Sequence, residues 1–149
     1  MANSAAEQFT LEDLAIGQRS EFEMTIGGED IDRFAAVSGD LSPLHRDADF
    51  ARRHGFDDRI AHGAYLMALV SRLLGMSLPG QNALLLKLQM SYAAPVVPGT
   101  RVKVSGVVEQ VSGAVRSAVI DIRVTDAARL SPLARGKATV GFIAELPDE

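Results

Sequence analysis

The chain predicts an α+β domain in which an antiparallel sheet wraps around one long, apolar central helix. Three observations carry this expectation. Residues 64–75 are apolar on nearly all faces, so as a helix they belong in a core and should be buried on most sides. Four strand-like runs follow, at 83–93, 101–111, 115–125 and 133–144, with no further helical pattern between them. Turn signals at Gly99, Ser112-Gly113 and Asp126-Ala127 separate the runs, and connections this short join antiparallel neighbours.

The elements can be justified in order. A short strand is expected over 19–25. A helix over 30–38 follows from Ile31, Phe34, Ala35 and Ser38 at helical spacing; Glu29 and Asp30 supply the anions a first turn favours, and Gly39 falls where a left-handed C-terminal cap is wanted. Pro43 disfavours the helical region for Ser42, so the chain should leave this helix in an extended arc. A short helical piece near 47–54 leads to the apolar helix, which ends near Met76 ahead of the stop Leu78-Pro79-Gly80. In the second run Val102, Val104, Gly106 and Val108 alternate with Lys103, Ser105 and Val107, as in a strand with one buried face.

At 149 residues and 47% apolar composition the chain suits one domain, 1–149, with a sizeable core; residues 1–8 are expected to be flexible. The formal charge of −4, with both signs interspersed, provides no basic stripe, so nucleic acid is not expected as a partner. Without cysteine there is no disulfide or thiolate chemistry. The first eight residues have neither the basic region nor the apolar core of a secretory signal, and no apolar run reaches membrane-spanning length, so the expectation is a cytoplasmic protein with no membrane partner.

The chemistry should be sought in Ser38-Gly39-Asp40-Leu41-Ser42-Pro43-Leu44-His45-Arg46-Asp47. Asp40 and His45, an acid and a base five positions apart on a turn pinned by glycine and proline, can share one water and move its proton. Read alone, the spacing also suits a solvated turn. Downstream, His62-Gly63 opens the apolar helix. Unpaired N–H groups and the positive end of the helix dipole at Gly63 can hold an oxyanion, although an ordinary helix start would look the same. Ser71, in mid-helix, reads by itself as a buried hydroxyl bonded to the carbonyl one turn back.

These residues resemble a known family, the MaoC-like or (R)-specific enoyl-CoA hydratases and the related (3R)-hydroxyacyl–acyl-carrier-protein dehydratases, which have the hot-dog fold. The family's signature is roughly Ser-Gly-Asp-x-Asn-Pro-x-His-x-Asp, followed by a His-Gly that opens the central helix. Ser38, Gly39, Asp40, Pro43, His45, Asp47, His62 and Gly63 match it, as does the helix serine at Ser71, and the likeness runs from about Phe22 to Phe142. The resemblance implies a catalytic pair, Asp40 and His45, with Gly63, Ser71, Ser42 and His62 as oxyanion or substrate-binding residues; the alternative for His62 is a structural role, capping the helix start or packing against the Asp47 loop. Metal and cofactor are not implied. An acyl-CoA or acyl-carrier-protein thioester is the implied substrate partner, and a homodimer or dimer of dimers the implied assembly. One departure is Ser42, where the family usually has Asn; a shorter hydroxyl that still donates and accepts tunes the water site rather than abolishing it.

Two competing functions share the architecture. A hot-dog acyl-CoA thioesterase would deliver water to C1, generally with an acidic residue on or near the central helix, and 64–76 contains neither Asp nor Glu. A non-catalytic acyl-thioester-binding module would have only the Ser42 departure in its favour, since both Asp40 and His45 are present.

Overall fold

The computed structural model describes residues 5–144. After a single 3₁₀ turn at Leu11–Asp13 the order is β1 (Arg19–Ile26), α1 (Gly28–Ser38), α2 (Pro43–Arg46), α3 (Ala48–Arg53), α4 (Gly63–Met76), β2 (Ala83–Tyr92), β3 (Thr100–Ser112), β4 (Ser117–Asp126) and β5 (Ser131–Phe142). The strands form one antiparallel sheet in the order β1-β3-β4-β5-β2, so β1 and β2 are its edges. Every expected element is present, with ends shifted by at most two residues. One such shift is at α1, which begins at Gly28 because Asp30 folds back to accept from the Gly27 N–H at 2.8 Å and so closes the first turn.

The core lies between α4 and one face of the sheet. Leu66, Leu69, Val70, Leu73 and Leu74 of α4 are buried, spaced to share one helix face. Opposite them the inward positions of neighbouring strands are in register: Val104 with Val124, Val108 with Ile120, Ile122 with Gly136, and Ile120 with Ala138. Val102, Val104, Gly106 and Val108 do form the inward face of β3. Gly106 is small for a reason, since a Cβ there would lie 2.9 Å from Leu73 Cδ2 and 3.0 Å from Ile120 Cγ2. The helix therefore seats closely over β3, with its axis held by side-chain interdigitation.

One expectation is corrected: α4 is not buried on most sides, since Ala64, Ala68, Ser71, Arg72 and Met76 form an exposed stripe. Arg72 is the single charge on that stripe, and the alanines and the serine around it do not mark the face as open. Of residues 1–8, 1–4 lie outside the described residues, while Glu7 and Gln8 bond to the end of α4 and the chain that follows it. The Glu7 N–H donates to the Met76 carbonyl at 2.9 Å, the Gln81 N–H to the Glu7 carbonyl at 2.8 Å, and Gln8 bridges to Gly80. Among the described residues no helix is long and apolar enough to cross a membrane.

Leu73 is fully buried at the helix–sheet contact. Leu73→Ala should cost about 2–5 kcal/mol of unfolding free energy in a urea titration; a loss below about 1 kcal/mol would contradict this account of the core.

Candidate active site

The site begins where α1 ends. Gly39 adopts the left-handed conformation, φ 76°, and its N–H closes the last turn on the Ala35 carbonyl at 2.9 Å. The following loop then folds on itself. The Asp40 N–H donates to Ser38 Oγ at 3.1 Å, and the Ser42 N–H to Asp40 Oδ1 at 3.2 Å, an Asx turn. Ser42 is extended, φ −52° and ψ 134°, and Pro43 starts α2 at the position where its missing N–H is harmless. One turn of helix brings His45 back toward the loop. Asp47 caps α3 by accepting from the Phe50 N–H at 3.0 Å, so its work is structural.

His45 Nε2 lies 3.7 Å from Asp40 Oδ2. The orientation of the ring is set by Nδ1, which is 2.8 Å from the Ile60 carbonyl. A carbonyl only accepts, so Nδ1 carries a proton, and in the neutral form of the ring Nε2 presents its bare lone pair toward the carboxylate. Two acceptors thus face one another at a distance too long for a direct bond. A water with two O–H donors satisfies both. The Asp40 side chain is 52% exposed and that of His45 14%.

Arg59 braces this geometry from behind. Its guanidinium pairs with Asp32 at 2.6 Å and donates to the carbonyls of His45 and Gly28, both at 3.2 Å. The hydrogen bond from Arg59 holds the Asp32 carboxyl below the usual carboxylate range. The clamp ties α1 to α2.

His62 and Gly63 arrive from the start of α4. His62, offered by the sequence as a substrate contact or as a structural residue, is only 2% exposed and packed beneath His45. Gly63 is the first residue of α4, and its N–H has no acceptor among the described residues. The Tyr92 hydroxyl donates to the Gly63 carbonyl at 2.7 Å, and a Cβ on Gly63 would lie 2.9 Å from the Tyr92 ring. Partial burial pushes the Tyr92 phenol above its ordinary value, which keeps it a donor. Gly63 and Tyr92 also line an apolar cleft of about 410 Å³ with Phe56, Ile60, Leu66 and Pro95. Asp40 and His45 are not among its walls; Ile60 connects the two, its side chain in the cleft and its carbonyl on His45.

Two further expected residues stand differently. Ser71 is exposed on the open stripe of α4, with no hydrogen bond to the carbonyl a turn back, and eight residues beyond Gly63 it lies about 12 Å along the helix. Ser42 is exposed, and its bond to Asp40 is made by the backbone, not the hydroxyl. Sequence reasoning missed Ile60, Arg59 and Tyr92. Ile60 acts through its carbonyl, which any residue supplies, and nothing in the local pattern distinguishes Arg59 or Tyr92 from a surface arginine or a strand aromatic.

Asp40, His45 and His62 offer atoms within 4.8 Å of one another, a spacing that invites comparison with a metal site. The donor set fits one poorly. His62 Nε2 is committed as an N–H to the Asp40 carbonyl at 3.0 Å, and the two imidazoles stack at 3.8 Å, so their lone pairs run side by side instead of converging. The arrangement suits proton transfer.

Comparison with known proteins agrees with this geometry. Residues 12–129 match the family model described as the MaoC like domain. Over 93 residues the chain is 39% identical to a 3-hydroxybutyryl-CoA dehydratase of Methylorubrum extorquens, covering 62% of this chain and 59% of the relative. Over 89 residues it is 38% identical to an (R)-specific enoyl-CoA hydratase of Aeromonas caviae, covering 60% and 66%. The chain thus spans roughly three fifths to two thirds of the length of these relatives. Among solved structures, the (R)-hydratase of A. caviae superposes with a TM-score of 0.84 at 30% identity, over 89% of this chain and 99% of that one. The R-hydratase of Pseudomonas aeruginosa superposes at 0.85 and 30%, over 97% of each. The five-stranded sheet seated on α4 is their hot-dog fold, and the match over 12–129 makes this chain a member of the MaoC-like domain family.

Proposed function

We propose that the chain is a hydro-lyase that adds water reversibly, in the syn sense, to trans-2-enoyl thioesters, giving (3R)-3-hydroxyacyl thioesters. The observation that carries the reading is the pair of facing acceptors, His45 Nε2 and Asp40 Oδ2, 3.7 Å apart. Such a pair orients both protons of one water and leaves its oxygen lone pair free to attack. The activities named for the M. extorquens and A. caviae relatives support the same reaction.

The step balances within the pair. The water oxygen bonds to C3 as the C2=C3 π electrons move toward the thioester carbonyl. The proton released goes to Asp40–His45, and C2 takes a proton back from the same pair, so H and OH add and nothing else is consumed. The carbonyl oxygen gains enolate charge and is met by the Gly63 N–H at the positive end of the 14-residue α4. The apolar cleft beside Gly63 takes the acyl chain. No step requires a metal or a redox carrier, because the thioester already polarises the double bond. The substrate is a CoA or acyl-carrier-protein thioester, and the reading includes a cytoplasmic location.

A homodimer belongs to the same proposal. Edge strand β2 exposes Leu84, Leu85 and Leu86, α4 carries an open stripe, and a second copy would cover both.

Asp40→Asn and His45→Ala should each fold as the parent does, by circular dichroism, yet lose hydration of crotonyl-CoA, followed at the conjugated thioester band, by at least about 100-fold in kcat. Turnover retained in either variant removes the assignment, and thiol release in place of band loss points to a thioesterase. Ser71→Ala, far from the pair, should stay within about tenfold of the parent. Light scattering should give twice the 15.9 kDa of one chain.

A further inference from the structure

We infer that His62 is a positioning residue for the Asp40–His45 pair, a buried imidazole that holds the acid loop and the base ring at the spacing one water can bridge. The inference rests on the hydratase reading for its kinetic consequence.

His62 touches both members at once. Its Nε2 donates to the Asp40 backbone carbonyl at 3.0 Å, and its ring stacks on that of His45 with centroids 3.8 Å apart and planes 25° from parallel. On another side Phe34 meets it edge-on, with centroids 4.9 Å apart and planes 62° apart. The His62 ring is thus fixed between α1 and α2 while its backbone is the N-cap of α4.

Each contact supplies a constraint the site otherwise lacks. The hydrogen bonds within residues 38–42 are all local: Asp40 N–H to Ser38 Oγ, Leu41 N–H to the Gly39 carbonyl, and Ser42 N–H to Asp40 Oδ1. They set the shape of the loop but not its place relative to the rest of the molecule. Among the described residues, the bond from His62 is the one hydrogen bond joining this loop to a distant element. His45 has a similar gap. Its ring is held by one hydrogen bond, at Nδ1, about which an imidazole can still tilt. A flat ring stacked on its face removes that freedom.

Packing alone does not account for an imidazole here. His62 Nδ1 is buried and has no hydrogen-bond partner. A buried polar atom without a partner is destabilising, and a phenylalanine would fill much the same space without it. What phenylalanine lacks is the N–H to Asp40. The retained chemistry of the residue is therefore that donor.

Two variants separate donor from stack. His62→Phe keeps a flat ring against His45 and loses the N–H; His62→Gln places an amide N–H near the position of Nε2 and loses the ring. In the intact chain, His62→Phe should fold normally and lower kcat for crotonyl-CoA hydration by roughly 10- to 100-fold with KM within about twofold, the signature of misplaced catalytic groups. His62→Gln should recover a clear part of that loss. Amide hydrogen exchange at Leu41 and Ser42 should quicken in His62→Phe and slow again in His62→Gln. Parental kcat and exchange in folded His62→Phe, or no recovery in His62→Gln, overturns the inference. Should His62→Phe fail to fold, the ¹⁵N shifts of His62 in the parent decide: the Nε2–H tautomer is expected, and a proton on Nδ1 overturns it. If the parent does not hydrate crotonyl-CoA but the exchange pattern appears, the hydratase reading falls while the positioning of Asp40 by His62 stands.

Discussion

The hydrogen bond from His45 Nδ1 to the Ile60 carbonyl decides what the rest of the site can do. With a proton committed there, the neutral form of the ring keeps its one lone pair on Nε2, and Nε2 faces Asp40. Turn the ring over and the pair no longer presents two acceptors to one water. The acceptor carbonyl is itself held in place. The Ile60 N–H donates to the Leu44 carbonyl at 3.1 Å and the Ala61 N–H to the Val96 carbonyl at 2.7 Å, so this stretch is stitched between α2 and the β2–β3 connection. The orientation of the His45 ring is thus set by backbone pairing, and the pairing by the fold.

Helix α4 links the core to the chemistry. Its buried face is locked over β3 by Leu73 against Gly106 and Ile120, and its first turn delivers His62 beneath the pair and Gly63 beside the apolar cleft. Sliding the helix along the sheet would carry the Gly63 N–H with it, and a densely packed interface resists that motion. The Arg59 clamp does the equivalent for the other half, holding α1 and α2 together through Asp32 and the carbonyls of Gly28 and His45. Asp40 itself stays half exposed, open to solvent from outside.

Much of this was legible in the chain because the relevant physics is local. Gly39 as a left-handed cap, Ser42 extended before Pro43, and the inward alternation of Val102, Val104, Gly106 and Val108 each depend on a few neighbouring residues. The closeness of Asp40 and His45 is of the same kind, since only four residues separate them. The outward turn of Ser71 and the open face of α4 were not legible for one reason: an apolar stretch with Arg72 as its single charge barely reveals which face the sheet covers. His62 was grouped with substrate contacts on its place in a motif, and its burial comes from Phe34 and His45, on elements far from it in sequence.

The sequence by itself therefore determined the secondary structure, the class of fold, the closeness of Asp40 and His45 and the turn that carries them, because caps, periodicity and proline geometry act over short spans of chain. Only the tertiary structure decided which nitrogen of His45 is free, that His62 lies beneath the pair and not in the cleft, and that Ser71 faces outward. Those depend on contacts between residues 15 and more positions apart, such as His45 with Ile60 and Asp40 with His62, and no local pattern encodes a meeting that packing alone brings about.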